Sequence, residues 1–224
     1  KNSRFKKKNI IFGNTKSKNF LTKNYVNINL QSINSKFRST TNEYSEKLIK
    51  VINDKNFDII EIHNRPLILT NLINKINSRF IFYFHNDPLS MKGSKNISER
   101  LFILKHTDKI IFVSEWVRKR FFLDLDKKLA SKTEVIYPSV NKQSAIKKEN
   151  IITFVGRLNY SKGYDIFSKA IVKILNKFPQ WKALSIGDEV RRSIYIDHHN
   201  HKELGFLNHK KTLDILNKSE IAVV

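Results

Sequence analysis

Two cations stand where an apolar run gives way to a helical pattern, within residues 151–171, IITFVGRLNYSKGYDIFSKAI. Gly156 ends the apolar run and Arg157 follows at once, whereas Lys162 and Gly163 come just before the helical pattern. A glycine lets a ligand approach the backbone closely, and a helix start has unpaired N–H groups and a positive dipole end. These features together predict a diphosphate site. A solvated basic edge is the alternative interpretation in so lysine-rich a chain.

The pattern His-Asn-x-Pro occurs twice, each time at the end of a predicted strand. The first copy begins at His63, and the second begins at His85 and continues with Asn86. Each proline holds the residue before it in an extended conformation, and an imidazole can orient or deprotonate a hydroxyl near neutral pH. We expect a functional role for His85. For His63, a hydrogen bond that holds the turn is favoured over such a role.

Two further stretches repeat the arrangement of a strand followed by a glycine or a turn. In ALSIGDE, Gly187 could admit a ligand close to the backbone, and Asp188 could face either sugar hydroxyls or water. In ELGFLNHKK, residues 203–207 are predicted as a strand, and the backbone of Leu207 could pair with the edge of a base. Asn208 is a predicted cap for the helix that follows.

The composition suggests phosphate-bearing partners and excludes several kinds of protein and site. The 224 residues include 42 Lys and Arg against 20 Asp and Glu, a formal charge of +22 that suggests phosphate-bearing partners. AT-rich codon usage, which favours Lys, Asn and Ile, is an equal alternative. The chain has no cysteine, so it offers neither a disulfide scaffold nor a thiolate metal site. No G-x-G-x-x-G fingerprint, P-loop or apolar run of membrane-spanning length occurs. The histidines at 197–201 fit a solvated loop better than a zinc site.

Predicted strands and helices alternate along the chain, and this alternation determines where the candidate residues lie. The alternation predicts an α/β protein with parallel sheets and helices on both faces. A polar stretch at 142–150 interrupts it and is predicted to be a linker between two doubly wound, Rossmann-like domains, 1–141 and 151–224. Ligands of such sheets bind at the carboxyl ends of strands. In the helix at 164–177, six residues are predicted to face the core: Ile166, Phe167, Ala170, Ile171, Ile174 and Leu175.

Both halves of the chain resemble family 4 glycosyltransferases, which have the GT-B fold of two Rossmann-like domains facing across a cleft. Three stretches resemble the half that binds the nucleotide sugar: FVGRLNYSKGYDIFSKAI, LSIGDE and ELGFLNHKKTLDILNKSEIAVV. Four earlier stretches resemble the acceptor-binding half: DIIEIHNRP, FYFHNDP, TDKIIFVSEWVRKRF and EVIYPSVN. The match covers nearly the whole chain in the right order.

The resemblance implies a hexosyltransferase that takes a sugar from a nucleoside diphosphate sugar, retains its anomeric configuration and needs no metal or other cofactor. It implies that Arg157 and Lys162 hold the diphosphate and stabilise the leaving group, and that His85 lines the cleft near the transferred sugar. Gly156, Gly187, Asp188 and Leu207 would complete the donor site. Four residues are expected to contact the acceptor: His63, Asn86, Lys92 and Arg100.

The implied role is synthesis of a cell-surface polysaccharide or lipopolysaccharide from the cytoplasm, with a glycan or lipid-linked acceptor and without nucleic acid. Cations and aromatic residues at 117–122, VRKRFF, could touch an anionic membrane on its inner face, although packing of the phenylalanines on their own sheet is favoured.

Two segments of the family pattern have no counterpart in the chain. The glycine-rich loop after the first strand would precede Lys1, and the segment with two glutamates that grips the donor would follow Val224. We therefore expect a chain truncated at both ends, with an incomplete second domain and little or no activity by itself.

Two alternatives stay open at this point. A basic nucleic-acid-binding module would explain the charge, although no stacking platform or known motif accompanies it. A sugar-nucleotide epimerase or a phosphorylase would keep the fold and change the reaction, because a fold does not fix chemistry.

Overall fold

The computed structural model describes residues 9–14, 24–30, 39–53, 57–141, 144, 146–190 and 193–224. The chain divides into two compact units, Lys1–Ser139 and Val140–Val224. Three residues of the predicted linker 142–150 lie outside the described part of the chain. The last two, Glu149 and Asn150, already belong to a strand, so the second sheet begins earlier than predicted.

The first unit holds one two-stranded and one four-stranded parallel sheet. Its described strands are β1 (Ile11–Gly13), β2 (Tyr25–Asn27), β3 (Ile59–His63), β4 (Arg79–Phe84), β5 (Lys109–Phe112) and β6 (Thr133–Val135). Its described helices are α1 (Thr40–Asn53), α2 (Pro66–Leu72), α3 (Ile97–His106) and α4 (Glu115–Phe121), with 3-10 turns at Pro88–Ser90 and Lys127–Lys132. In the larger sheet, β3, β4, β5 and β6 lie side by side in chain order. Because β3 and β4 are parallel, the two His-Asn-x-Pro turns leave the same edge of this sheet.

One apolar core packs all four of these helices on the larger sheet. Every second strand residue contributes to it: Ile62, Phe80, Phe82, Phe84, Ile110 and Phe112. Rings of Phe84, Phe112 and Phe121 meet with centroids 5.2 to 5.7 Å apart. Burial of each such side chain contributes roughly 1.5–3 kcal/mol, and the core therefore fixes the strand ends that carry the histidines.

Local signals explain where the helices begin. Ser114 accepts a hydrogen bond from the N–H of Val117 and caps α4. Asn96 and Glu99 form a reciprocal capping box at the start of α3. The sequence pattern did not predict α2, which has Pro66 at its first position, where a missing N–H costs nothing.

The second unit is a four-stranded parallel sheet in the order β10, β7, β8, β9. These strands are β7 (Glu149–Val155), β8 (Lys182–Ile186), β9 (His201–Gly205) and β10 (Ser219–Val223). Its helices are α5 (Tyr164–Lys177) and α6 (His209–Lys218), and a 3-10 turn at Tyr160–Lys162 precedes α5. The end of β9 at Gly205 corrects the predicted strand 203–207, because the chain turns at this glycine with φ +66°.

The core of the second unit uses only part of the face predicted for α5. Four α5 residues are buried: Tyr164, Phe167, Ile171 and Leu175. The other three predicted core residues, Ile166, Ala170 and Ile174, are exposed, and Ile166 is 70% accessible. A helix that packs against a single sheet buries only part of its circumference, and the six predicted residues cover a larger part than the sheet can bury.

Candidate functional site

The predicted diphosphate turn lies at the carboxyl ends of β7 and β8. The N–H of Gly156 donates to the carbonyl of Ile186 at 3.0 Å, which joins the two strand ends. Arg157 follows and is exposed, and the 3-10 turn then ends at Lys162, which is also exposed. An ideal Cβ on Gly156 would lie 3.8 Å from Cγ of Lys162. The stem of the Lys162 side chain therefore runs beside Gly156.

The start of α5 has no side-chain cap, and the N–H of its first residue, Tyr164, donates to the carbonyl of Asn159 at 3.2 Å. Gly163 takes a left-handed conformation with φ +68° and serves as the N-cap, but it has no side chain to bond the first N–H groups of the helix. The side chains of Arg157 and Lys162 form no hydrogen bond or ion pair with any residue that the structure describes. Two cations and an uncapped helix start thus occupy one turn of seven residues, 157–163.

Gly187 has a packing role that the sequence did not reveal. An ideal Cβ on Gly187 would lie 1.8 Å from the carbonyl oxygen of Gly156, and its φ is +144°. Its N–H donates to Gly205 at 2.9 Å. The glycine therefore lets the backbones after β7, β8 and β9 come together, which supports the turn that carries Arg157.

Asp188 lies beyond the end of β8, as predicted, whereas Leu207, which was predicted to end a strand, lies beyond the end of β9. The carboxylate of Asp188 accepts from the N–H of Glu189 at 2.8 Å and is exposed. Leu207 is half-buried and lies outside β9, after Phe206, which is 83% accessible. Asn208 accepts from the N–H of Lys211 and caps α6 as predicted. Donor roles for Asp188 and Leu207 stay predictions.

Side-chain contacts that the sequence did not predict support the turn. The amide of Asn159 donates to Glu189 at 2.6 Å, so it links the 3-10 turn to the loop after β8. The fully buried Tyr164 hydroxyl lies 3.0 Å from the carboxylate of Glu203 and 3.1 Å from the hydroxyl of Ser185. His201 completes this group at 2.9 Å from Ser185. The sequence signal for this group was a polar residue within each of two strands, Ser185 in β8 and Glu203 in β9.

In the first unit, the two predicted histidines meet. Nδ1 of His63 lies 2.9 Å from Nε2 of His85, so one ring donates to the other. The ring of His63 also stacks on Tyr83 with centroids 4.6 Å apart and an interplanar angle of 10°. Both histidines are exposed. The hydrogen bond predicted for His63 therefore exists, and its partner is the other candidate residue.

The asparagines of the two repeats differ in role. Asn64 has φ +53° and its side-chain oxygen accepts from the N–H of His85 at 2.7 Å, so it fixes the second turn. Asn86 is exposed at the same sheet edge. A contact between Asn86 and an acceptor stays a prediction.

Charged groups near these turns are held by neighbours. Arg120 shares its Nε–H between the two carboxylate oxygens of Asp87, at 3.2 and 3.3 Å, and donates from Nη2 to Oδ2 at 3.1 Å. These hydrogen bonds lower the pKa of Asp87. It also accepts from the N–H of Leu89, in the first turn after the strand. Burial, followed by the charge of Glu61, raises the pKa of the Tyr83 hydroxyl.

The structure argues against the predicted acceptor contact of Arg100. The side chain is buried, with 2% of its surface accessible, and donates to the carbonyls of Lys95 and Leu123 at 2.8 and 2.7 Å. Burial also lowers the pKa of Arg100. Its charge holds two loops together, and this role replaces the predicted one. Lys92 is exposed, so its predicted role is still open.

A cavity of about 570 Å³ lies at the start of α3. Its lining combines apolar and charged side chains: Leu89, Lys95, Asn96, Ile97, Ser98, Arg100, Leu123 and Asp124. Among the described residues, no group of three or more His, Cys, Asp or Glu could hold a metal ion. Within that same part of the chain, no helix is long and apolar enough to cross a membrane.

The histidine-rich stretch has ordinary structural partners. His198 lies 3.2 Å from Asn176 through Nε2, and its Nδ1 accepts from the N–H of Asn200. His201 belongs to the buried group around Ser185.

Comparison with known proteins decides the family. The model described as Glycosyltransferase Family 4 matches residues 21–144, which is more than half of the chain, and the model described as Glycosyl transferases group 1 matches residues 138–224. The chain belongs to glycosyltransferase family 4. Both family models favour a glycosyltransferase over the nucleic-acid-binding, epimerase and phosphorylase alternatives.

Individual relatives of this family 4 chain are distant. It is 26% identical over 158 residues to "Putative glycosyltransferase YtcC" of Bacillus subtilis (strain 168), a match that covers 61% of the chain and 38% of YtcC. Anabaena Alr3699/HepE in complex with UDP-glucose is similar with a TM-score of 0.53 and 16% identity, over 74% of the chain and 52% of that protein. A mutant of S. aureus TarM in complex with Fondaparinux, alpha-GlcNAc-glycerol and UDP is similar with a TM-score of 0.58 and 13% identity, over 80% and 39%.

These structural similarities show the GT-B fold, with α/β units built on parallel sheets. The chain spans 38% of YtcC and between 39% and 52% of the two solved structures.

Proposed function

We propose that the intact protein is a hexosyltransferase that moves a sugar from a nucleoside diphosphate sugar to an acceptor hydroxyl and retains the anomeric configuration. The observation that carries this proposal is the turn 157–163. This turn lies in the second unit, which matches the model of Glycosyl transferases group 1. Its two cations are exposed, have no partner among the described residues and precede an uncapped helix. This arrangement suits a diphosphate.

Charge development gives the turn its proposed role in catalysis. When the bond between sugar and diphosphate breaks, negative charge grows on the leaving diphosphate, so donors that contact it bind the transition state more strongly than the ground state. Each charge-assisted hydrogen bond from Arg157 or Lys162 would contribute roughly 1.5–3 kcal/mol. Because these two cations would offset the charge on the leaving diphosphate, we propose a reaction that needs no metal ion.

In the first unit, the paired histidines are the proposed catalytic and acceptor groups. His63 and Asn64 hold His85 at the sheet edge through its ring and its N–H, respectively. An imidazole fixed in this way can orient a sugar or acceptor hydroxyl. We propose a glycan or lipid-linked acceptor of the cell surface, met from the cytoplasmic side, with Lys92 and the cavity at the start of α3 available to its anionic groups.

Calorimetric titration of the intact protein with UDP, GDP and ADP tests donor binding, and we expect saturable binding of one of the three. UDP is the first probe, because the Alr3699/HepE and TarM structures contain UDP-glucose and UDP. If none of the three binds saturably, the proposed use of a nucleoside diphosphate sugar is wrong. Binding of duplex DNA in their place would favour the nucleic-acid-binding alternative.

A transfer assay with the matching nucleotide sugar tests the reaction. We expect a product that has the anomeric configuration of the donor by NMR, at a rate that EDTA does not change. A product with the inverted configuration would contradict retention. Loss of activity with EDTA would contradict metal independence.

A further inference from the structure

One flank of α5 and the residue after it carry an apolar row that the described structure covers only in part. Its members are spaced four residues apart and all are exposed: Ile166, Ala170, Ile174 and Phe178. Three of them are large, and Ile166, Ile174 and Phe178 are 70%, 37% and 42% accessible. Side chains four residues apart on a helix stand one above the other, so these form one continuous strip.

A basic row runs beside this strip. Lys169, Lys173 and Lys177 each directly precede a member of the apolar row and are exposed at the same four-residue spacing. Nζ of Lys177 lies 5.6 Å from the ring centre of Phe178, which links the two rows at the end of the helix. The only acidic residue of α5 is Asp165, in its first turn. The face is therefore apolar and cationic along more than three helical turns.

We propose that this face of α5 binds an anionic lipid bilayer, with the helix lying in the plane of the headgroups. An apolar row can enter the boundary between headgroups and acyl chains while adjacent lysines contact lipid phosphates. A protein partner fits this surface less well, because interface cores are depleted of lysine. Nucleic acid would pair with the lysines and leave the apolar row in water.

The inference does not depend on the donor site, and it moves the membrane contact from its predicted place. In the stretch 117–122, Val117 and Phe121 are buried and Arg120 is paired with Asp87. Only Trp116, just before that stretch, exposes an aromatic ring there, with 58% accessible. α4 therefore offers one aromatic contact, whereas α5 offers an extended face.

Vesicle sedimentation with the intact protein tests the proposal, using phosphatidylcholine vesicles with and without phosphatidylglycerol. One variant combines Lys169→Gln, Lys173→Gln and Lys177→Gln, and a second combines Ile166→Ser and Ile174→Ser without changing charge. The matched control combines Lys50→Gln, Lys75→Gln and Lys105→Gln, three exposed lysines of the first unit. Circular dichroism and nucleotide titration check that each variant keeps its fold and its donor site.

We expect the protein to bind only vesicles that contain phosphatidylglycerol. Each lysine near an anionic surface strengthens binding roughly fivefold, so the triple lysine variant should bind at least about tenfold more weakly. The Ile166→Ser, Ile174→Ser variant should also lose at least about tenfold, because its apolar row no longer enters the bilayer, whereas the control should lose less than about threefold. Equal losses in the control and the lysine variant would show nonspecific attraction and overturn the proposal. Unchanged binding of the Ile166→Ser, Ile174→Ser variant, or loss on Trp116→Ser alone, would overturn it as well.

A second measurement does not rely on loss of binding. These 224 residues include no cysteine, so Ile166→Cys can carry a single environment-sensitive fluorophore in the intact protein once any cysteine outside them is replaced by serine. We expect a blue shift of its emission when phosphatidylglycerol vesicles are added, and none for the same fluorophore at Leu101→Cys, an exposed position on α3. No shift at position 166 would contradict insertion.

Discussion

Gly187 shows how one missing side chain can shape a site. An alanine there would place a carbon 1.8 Å from the carbonyl oxygen of Gly156 and would have to keep φ at +144°. We predict that Gly187→Ala lowers the free energy of unfolding by more than about 3 kcal/mol, since strain and overlap add. Urea unfolding followed by circular dichroism measures this change.

Gly163 is the matched control for that prediction. It also has a positive φ, +68°, but a Cβ there would meet nothing within 4 Å. Gly163→Ala should therefore cost only about 1–2 kcal/mol, the penalty of the left-handed conformation. Equal losses in the free energy of unfolding at the two positions would mean that the close approach of Gly156 and Gly187 adds nothing to the cost of a side chain at Gly187.

Asp87 gives a prediction of pH dependence. Hydrogen bonds from Arg120 lower the pKa of Asp87 in the folded protein, so the pair stabilises the fold above the ordinary pKa of an aspartate, and this contribution is lost as the pH falls through the lowered value. Asp87→Asn should reduce stability by about 1 kcal/mol or less near neutral pH, because the pair is partly exposed.

The difference between this variant and the parent should vanish in acid, where both side chains are neutral. Unfolding curves at several pH values between neutral and about 2 test this. Asp214→Asn, an exposed position on α6, controls for the loss of one negative charge. A difference that grows in acid would contradict the sign of the shift.

At the scale of elements, Tyr164 joins α5 to β8 and β9. Its buried hydroxyl contacts Ser185 and Glu203, and Tyr164→Phe would leave those groups without it. We predict a loss of about 1–3 kcal/mol in the free energy of unfolding, the cost of an unsatisfied buried polar group. Tyr160→Phe, at a ring that is 67% accessible, should change stability little. Similar losses in the two variants would show that the buried hydroxyl is not what matters.

The sequence predicted the position of helices and strands better than it predicted which side of a helix is buried. Apolar runs and their punctuation predict the strand that ends at His63, the strands just before His85 and Gly156, and the bounds of α5. The pattern could not show that α5 exposes Ile166 and Ile174, because the arc that a helix buries depends on the neighbouring sheet.

The same limit applies to the candidate site. Residue types located His63 and His85 at one edge, but their direct contact depends on the register of β3 on β4, which pairs His63 with Tyr83. Arg100 looked like a surface cation, and only tertiary contacts show that it binds two carbonyls. Long-range contacts of this kind leave no local mark in the sequence.

At the scale of the whole molecule, the net charge of +22 carries little information by itself. Its meaning depends on which cations are paired. Arg120 is bound to Asp87 and Arg100 is buried, whereas Arg157 and Lys162 are exposed at the start of a helix. The donor binding that we propose depends on this last pair.

Titration of the intact protein with UDP, or with whichever nucleoside diphosphate binds best, tests this central claim most directly. Arg157→Met and Lys162→Met should each weaken binding by roughly 10- to 150-fold, the equivalent of 1.5–3 kcal/mol. Lys182→Met, at the amino end of β8 and so at the opposite edge of the sheet, should leave the affinity within about twofold. Undiminished nucleotide affinity in both variants of the turn would contradict the account.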